Sequence, residues 1–304
     1  MSTARIAATG LEFPEGPIAL ADGSVLVVEI RRGTLTRVAP DGTASVVATL
    51  GGGPNGAAIG PDGAVYVCNN GGFEWHEVGG YVIPGHAPQD YAGGSIQRVD
   101  LATGRVTILY TGFEGTPLQG PNDIVFDRTG GFWFTDHGKS TARGRSHGAL
   151  YYARPDGSQL VRARAELLTP NGVGLSPDES VLYMAETLTG RLWAFDLVSP
   201  GVLAAQPAPW LPGRLVATLP GYQLLDSLKV TAHGNICVGT LLNGGITEFT
   251  PGGGFRHFPF SDIGITNLCF FGSDMRDLWA TGSSTGRLYR WRWHEAGLRL
   301  PFNA

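Results

Sequence analysis

Six polar residues occupy the same place in an internal repeat, and their types are those of a hard-metal site. Glu15, Asn55, Asn122, Asn171, Asp226 and Asn267 each precede by seven positions a turn residue, at Asp22, Asp62, Thr129, Asp178, His233 and Asp274. Two carboxylates and four amides offer oxygen ligands with a total charge of −2. Ca2+ is the best fit to such a set, with Mg2+, Mn2+ and Fe2+ also accommodated. Asn-Gly and Asn-Asp are also good turn formers, which accounts for three of the four amides but not for Glu15 and Asp226. Without a cation those two carboxylates face each other in a narrow, poorly solvated space, an unfavourable arrangement. One divalent ion with an open position polarises a carbonyl and acidifies a bound water, so the chemistry expected is hydrolysis of a small ester. In that scheme the six side-chain oxygens around the axis are the candidate ligands. Asn55 and Asn267 complete the ring as substrate contacts. Direct attack by Asp226 on the substrate is left open.

Further candidates lie at strand ends and in one irregular segment. His137 follows the apolar run GFWFTD and is placed to hydrogen-bond substrate or shuttle a proton. The segment 73–92 interrupts the second repeat and is rich in aromatics, His and Pro. It is expected to be a lid, with Trp75, His76, Tyr81 and His86 as possible contacts. His233, His257 and His294 fall in turns or the tail and are read as bystanders. Cys68, Cys237 and Cys269 are an odd set without CxxC spacing, read as buried reduced thiols. There is no strand–helix alternation to carry a GxSxG nucleophile elbow or a GxGxxG dinucleotide-binding turn, and no P-loop, which disfavours serine hydrolases and nucleotide-dependent classes.

The elements that must position these residues are short strands. A unit of apolar strand, Asp-Gly-type turn, second strand, Gly turn and third strand recurs six times, as in EGPIAL-ADG-SVLVVEI and NGVGLS-PDE-SVLYMAET. Such repeats of 40–50 residues, with no helical periodicity, predict an all-β, six-bladed β-propeller forming a single domain over residues 1–304. The first strand of each blade then lines the axis, where the six polar residues converge. Either Arg5–Ala8 or Leu298–Phe302 is expected to supply the outer strand that closes the ring. Glycine (46) and proline (20) in a chain of 304 suit so many turns.

The segments EGP (15–17), GPND (120–123), TPNG with LSPDES (169–180), LDSLKV (225–230) and LWATGSSTGRLYRW (278–291) resemble the SMP-30/gluconolactonase/LRE family, which includes relatives similar to diisopropyl fluorophosphatase. The resemblance spans all six units. It implies an axial metal held by Glu15, Asn171 and Asp226, with Asn122 binding the metal or orienting the substrate carbonyl beside it, and in that arrangement Asp226 is expected also to accept the proton of the attacking water. It also implies hydrolysis of sugar lactones or related esters with Ca2+, Zn2+, Mn2+ or Fe2+. Animal members carry an arginine two residues before the asparagine matching Asn122, where this chain has Gly120 beside Gln119. Gln119 is the candidate substrate contact at that place, and a sugar lactone is less secure than the reaction type.

Three rival readings stay open: a non-catalytic scaffold, a phosphotriesterase on the same metal site, and strictosidine-synthase-like condensation without a metal. A net charge of −4 gives no basic face for nucleic acid. The absence of an apolar leader or span leads to the expectation of a soluble, cytoplasmic monomer acting on a small molecule.

Overall fold

A computed structural model describes residues 4–302 apart from 207 and 209. Each repeat forms one antiparallel sheet, and the inner strands of neighbouring sheets touch in an unbroken circle of six. From the axis outward, blade one holds Pro14–Ala19, Val25–Glu29, Thr34–Val38 and Ala44–Thr49. Blade two holds Pro54–Ile59, Val65–Asn69, Ser95–Val99 and Val106–Tyr110. Blade three holds Pro121–Phe126, Phe132–Asp136, Gly148–Ala153 and Leu160–Leu167. Blade four holds Pro170–Leu175, Val181–Glu186, Arg191–Ser199 and Arg214–Thr218. Blade five holds Leu224–Val230, Ile236–Leu241, Gly245–Phe249 and Phe255–Pro259. Blade six holds Ile265–Phe271, Asp277–Gly282 and Arg287–Arg292. The six-bladed propeller read from the repeats is the fold. Among the described residues the sole helical element is a 3-10 turn at Ser283–Thr285.

Of the two segments expected to close the ring, Arg5–Ala8 does so. It pairs with the third strand of blade six, Arg5 opposite Arg290 and Ile6 opposite Tyr289. Leu298–Phe302 does something else, because its apolar side chains have a better place to go. The Leu298 N–H donates to the Val230 carbonyl at 2.9 Å, and Phe302 packs edge-on against Phe126. Leu298, Arg299 and Leu300 border a cavity with Ile18, Ala58, Ile124 and Phe270, and Leu298 and Leu300 border a second with Val173. The tail therefore crosses the far mouth of the channel beneath the ends of the inner strands.

The core is divided into six apolar clusters, one between each pair of neighbouring blades. Trp133, Leu182, Trp193 and Phe195 join blades three and four, while Ala19, Val27, Trp279 and Leu288 join six and one. Burying large apolar side chains between the sheets leaves the axis to polar groups. The three cysteines sit in these clusters without a disulfide, and burial pushes their thiols up.

The segment 73–92 contains a hairpin, Trp75–Val78 with Tyr81–Pro84, that its sequence pattern does not announce. Gly79 and Gly80 both adopt positive φ (60° and 84°), as a two-residue turn of this kind requires. The hairpin leans over blade one, where Trp75 lies 5.0 Å from the Phe13 ring and Glu77 pairs with Arg31 at 2.9 Å. Tyr81–Pro84 reaches on to the Ser283–Thr285 turn of blade six. On the opposite side the Ala87 N–H donates to the Ser140 carbonyl of blade three at 2.8 Å. The buried Lys139 ammonium holds its base, donating to the Asn70 carbonyl at 2.8 Å with the Phe73 ring 3.9 Å away. Burial lowers this lysine to about 7, against the pull of Asp136.

Candidate active site

The six aligned residues fall at the start of the inner strands, at the channel mouth on the side of the insertion. Proline precedes four of them, as Pro14, Pro54, Pro121 and Pro170. An inner strand has a free edge toward the channel, so a first residue without an N–H costs little there. In every inner strand the pairing register then slips next to the polar residue. A bulge of this kind re-aims a side chain that regular alternation would send elsewhere. Gly16 and Gly172 follow two of the ring residues because the blades approach so closely. A Cβ on Gly16 would lie 2.7 Å from the Asn55 carbonyl oxygen, and one on Gly172 2.7 Å from that of Asp226.

A second set of polar residues, at the ends of the second strands, holds the loops that enter the ring. Glu29 accepts the Glu12 N–H at 2.6 Å, Asn69 the Gly53 N–H at 2.9 Å, and Asp136 the Gln119 and Gly120 N–H groups, both at 2.7 Å. Each fixes backbone two or three residues ahead of Glu15, Asn55 and Asn122. The reading of the sequence passed over this set. Its signal was the polar residue ending VVE, YVCN and WFTD at one place in successive repeats.

Within the ring Glu15 is buried and accepts from Asn267 Nδ2 at 2.7 Å and the Gly16 N–H at 2.8 Å. Burial raises its carboxyl to about 7 despite those bonds and that of Thr266, with the Asp123 charge adding to the rise. Asp226 is half-buried, and burial together with Glu15 pushes it well above the ordinary carboxylate range. Asn171 donates from Nδ2 to Thr187 Oγ1 at 3.0 Å, which turns its carbonyl oxygen toward Ser227 Oγ at 3.4 Å. Asn122 Oδ1 is buried and has no hydrogen-bond partner. The donor set therefore fits a hard dication. Two carboxylates are held close at a cost that a cation removes, and a buried amide oxygen lacks the partner that such oxygens ordinarily have.

Two charged residues of the channel escaped the sequence reading. Asp123 is 1% exposed, accepts the Ile124 N–H at 3.0 Å, and acts on both Glu15 and Asp226 through its charge. Lys229 Nζ lies 3.5 Å from Asp123 Oδ2. Asp123 stands where blades one, two and four carry Gly16, Gly56 and Gly172, so the departure GPND from PNG was the visible sign.

The remaining candidates lie around the rim. His137 Nδ1 accepts a hydrogen bond from Arg145 Nη1 at 3.2 Å. Burial, with the Arg145 and Lys139 charges, depresses it to about 3, so it is neutral at physiological pH. Trp75 and Tyr81 are half-buried in the hairpin, whereas His76 and His86 point to solvent. Gln119 turns its amide back to the Pro117 carbonyl at 3.0 Å, so the structure does not bring that group to the ring.

The family model described as SMP-30/Gluconolactonase/LRE-like region matches residues 13–284. A gluconolactonase of Zymomonas mobilis is 24% identical over 293 aligned residues, covering 88% of this chain and 75% of that protein. Lactonase drp35 of Staphylococcus saprophyticus is 29% identical over 252 residues, covering 82% and 69% respectively. Among solved structures, a gluconolactonase of Xanthomonas campestris superposes with a TM-score of 0.73 at 24% identity, over 94% of this chain and 88% of that one.

Proposed function

The chain belongs to the SMP-30/gluconolactonase/LRE-like family, and from that membership and the ring at the channel mouth we propose that it hydrolyses small lactones with one divalent metal ion, Ca2+ being the best match. The observation that carries the metal is the buried Asn122 Oδ1 with no partner, in one ring with two carboxylates that burial and neighbouring negative charge push toward neutrality. Glu15, Asn122, Asn171 and Asp226 are the residues that would hold it. When bound, such an ion supplies Lewis acidity, polarising a carbonyl and acidifying water. The names of the relatives, gluconolactonase and lactonase, support a lactone as the substrate class.

The protein groups divide the remaining work. Glu15 is fixed by Asn267 and the Gly16 N–H, so it acts as an immobile anion. Asp226, the less deeply buried of the two residues, is assigned as the acceptor for the proton of the attacking water. With Nδ1 facing Arg145, neutral His137 carries its proton on Nε2 and can donate to a substrate oxygen. Trp75, Phe73 and Phe13 make an aromatic wall beside the mouth that limits water around the ester.

The test is metal content together with gluconolactone hydrolysis for wild type, Asn122→Ala and Asp226→Ala. We expect one equivalent of divalent metal, complete loss of turnover on chelation, and weaker metal retention in Asn122→Ala. Asp226→Ala is expected to lose about 10²–10⁴-fold in kcat. Turnover that survives both chelation and Asp226→Ala would refute the proposal.

A further inference from the structure

A second group of potential ligands lies away from the channel, where the chain leaves blade six and crosses blade five. Glu248, on the third strand of blade five, His294 and Glu295 each present a ligand atom within 4.8 Å of the others. His294 Nε2 is 3.3 Å from Glu248 Oε1, and His233 Nδ1 is 3.0 Å from Glu295 Oε2. His233 comes from the turn between the first two strands of blade five, and its neighbour Asn235 donates to Glu295 Oε1 at 2.9 Å. Two carboxylates and two imidazoles thus converge from three separate stretches of chain. Two of the three histidines read from the sequence as bystanders, His233 and His294, are gathered here.

We propose that Glu248, His294 and Glu295, with His233 hydrogen-bonded to Glu295 and fixing its carboxylate, form a site for a borderline divalent cation such as Zn2+. Mixed imidazole and carboxylate ligation suits zinc and its neighbours and is poor for Ca2+ and Mg2+. The channel ring is the reverse, since it offers oxygen alone. Burial and the adjacent Glu295 raise Glu248 to about 7, so the two acids share a site that favours a proton or a metal between them. Glu248 is 10% exposed at its side chain and Glu295 13%, while His294 and His233 are 47% and 75% exposed, leaving a path for an ion from solvent. Arg256 and Arg276 act on His294 through their charges, and Arg256 also on Glu248. Those cations keep the site weaker than a closed structural zinc centre. Its effect is to clip the tail to blade five, beside the hydrogen bond from the Ala232 N–H to the Ala296 carbonyl at 2.9 Å.

The experiment is calorimetric titration of the whole protein with Zn2+ in saturating Ca2+, on wild type, His294→Ala, Glu248→Gln and the channel variant Asp226→Asn. We expect Zn2+ binding that Ca2+ does not displace and that persists in Asp226→Asn. His294→Ala and Glu248→Gln are each expected to weaken it at least about tenfold. Zn2+ should raise the melting temperature of wild type but not of His294→Ala, whose gluconolactone turnover stays at the wild-type level. Glu248→Gln preserves shape, so it keeps the result interpretable if His294→Ala folds poorly. The absence of Ca2+-resistant Zn2+ binding, or binding that both variants leave intact, overturns the proposal.

Discussion

Glu15 is 2% exposed and bonded to two fixed donors, yet its carboxyl is raised from 4.5 to about 7. In the unfolded chain it ionises at its ordinary value, so folding favours the protonated form. This contribution to stability is therefore complete below about pH 4.5 and is lost as pH rises through about 7. At roughly 1.4 kcal/mol per unit the loss is on the order of 3 kcal/mol. His137 works in the opposite direction, since its depression to about 3 favours the folded state as pH rises toward 6.5. A single pH profile would mix the two, whereas the difference between wild type and Glu15→Gln isolates the carboxyl. In metal-free protein, urea denaturation should show the two equal near pH 3.5 and Glu15→Gln the more stable near pH 8. A constant difference across that range would contradict the burial argument. At this scale the six-residue ring was legible because a fixed offset from a turn survives in every repeat. Asp123 was not, because the bulge turns inward a residue one place out of that register.

The inner strands depend on how closely their backbones approach. Gly16 has φ +51°, and an added Cβ would meet backbone atoms, the Asn55 oxygen at 2.7 Å and the Ala57 nitrogen at 2.8 Å. Neither can swing aside as a side chain could. Gly16→Ala is expected to cost about 2–4 kcal/mol, combining backbone strain with overpacking. Gly63 has φ +74° with nothing near its Cβ position, so Gly63→Ala carries the strain alone and should cost about 1–2 kcal/mol. Denaturant midpoints of the two variants separate the terms, and equal losses would remove the packing argument. Strands were legible wherever apolar runs met Asp-Gly or Thr-Gly turns. The Trp75–Val78 hairpin was hidden because it is four residues a side, rests on the top of the ring, and carries His76 and Glu77 in solvent. Gly79-Gly80 was its one local sign.

The closure of the ring unites the two ends of the sequence in blade six. Arg5–Ala8 covers the edge of Arg287–Arg292, and Ala8 enters the cluster between blades six and one. A variant beginning at Thr9 exposes that edge, which invites pairing with another chain. It should melt at least 10 °C lower and elute partly as aggregate, as checked by calorimetry and size exclusion. Unchanged melting would mean that the ring does not need its outer strand. The sequence left two candidates for this strand because both are short and apolar, and what distinguishes them is the apolar floor available to Leu298 and Phe302. That floor has a kinetic corollary. On the lactone hydrolysis proposed above, a channel closed at that end by the tail makes the incoming lactone and the departing acid share one passage. Added hydroxy acid should raise the apparent KM and leave kcat untouched, and a fall in kcat would reveal a back exit beneath the tail.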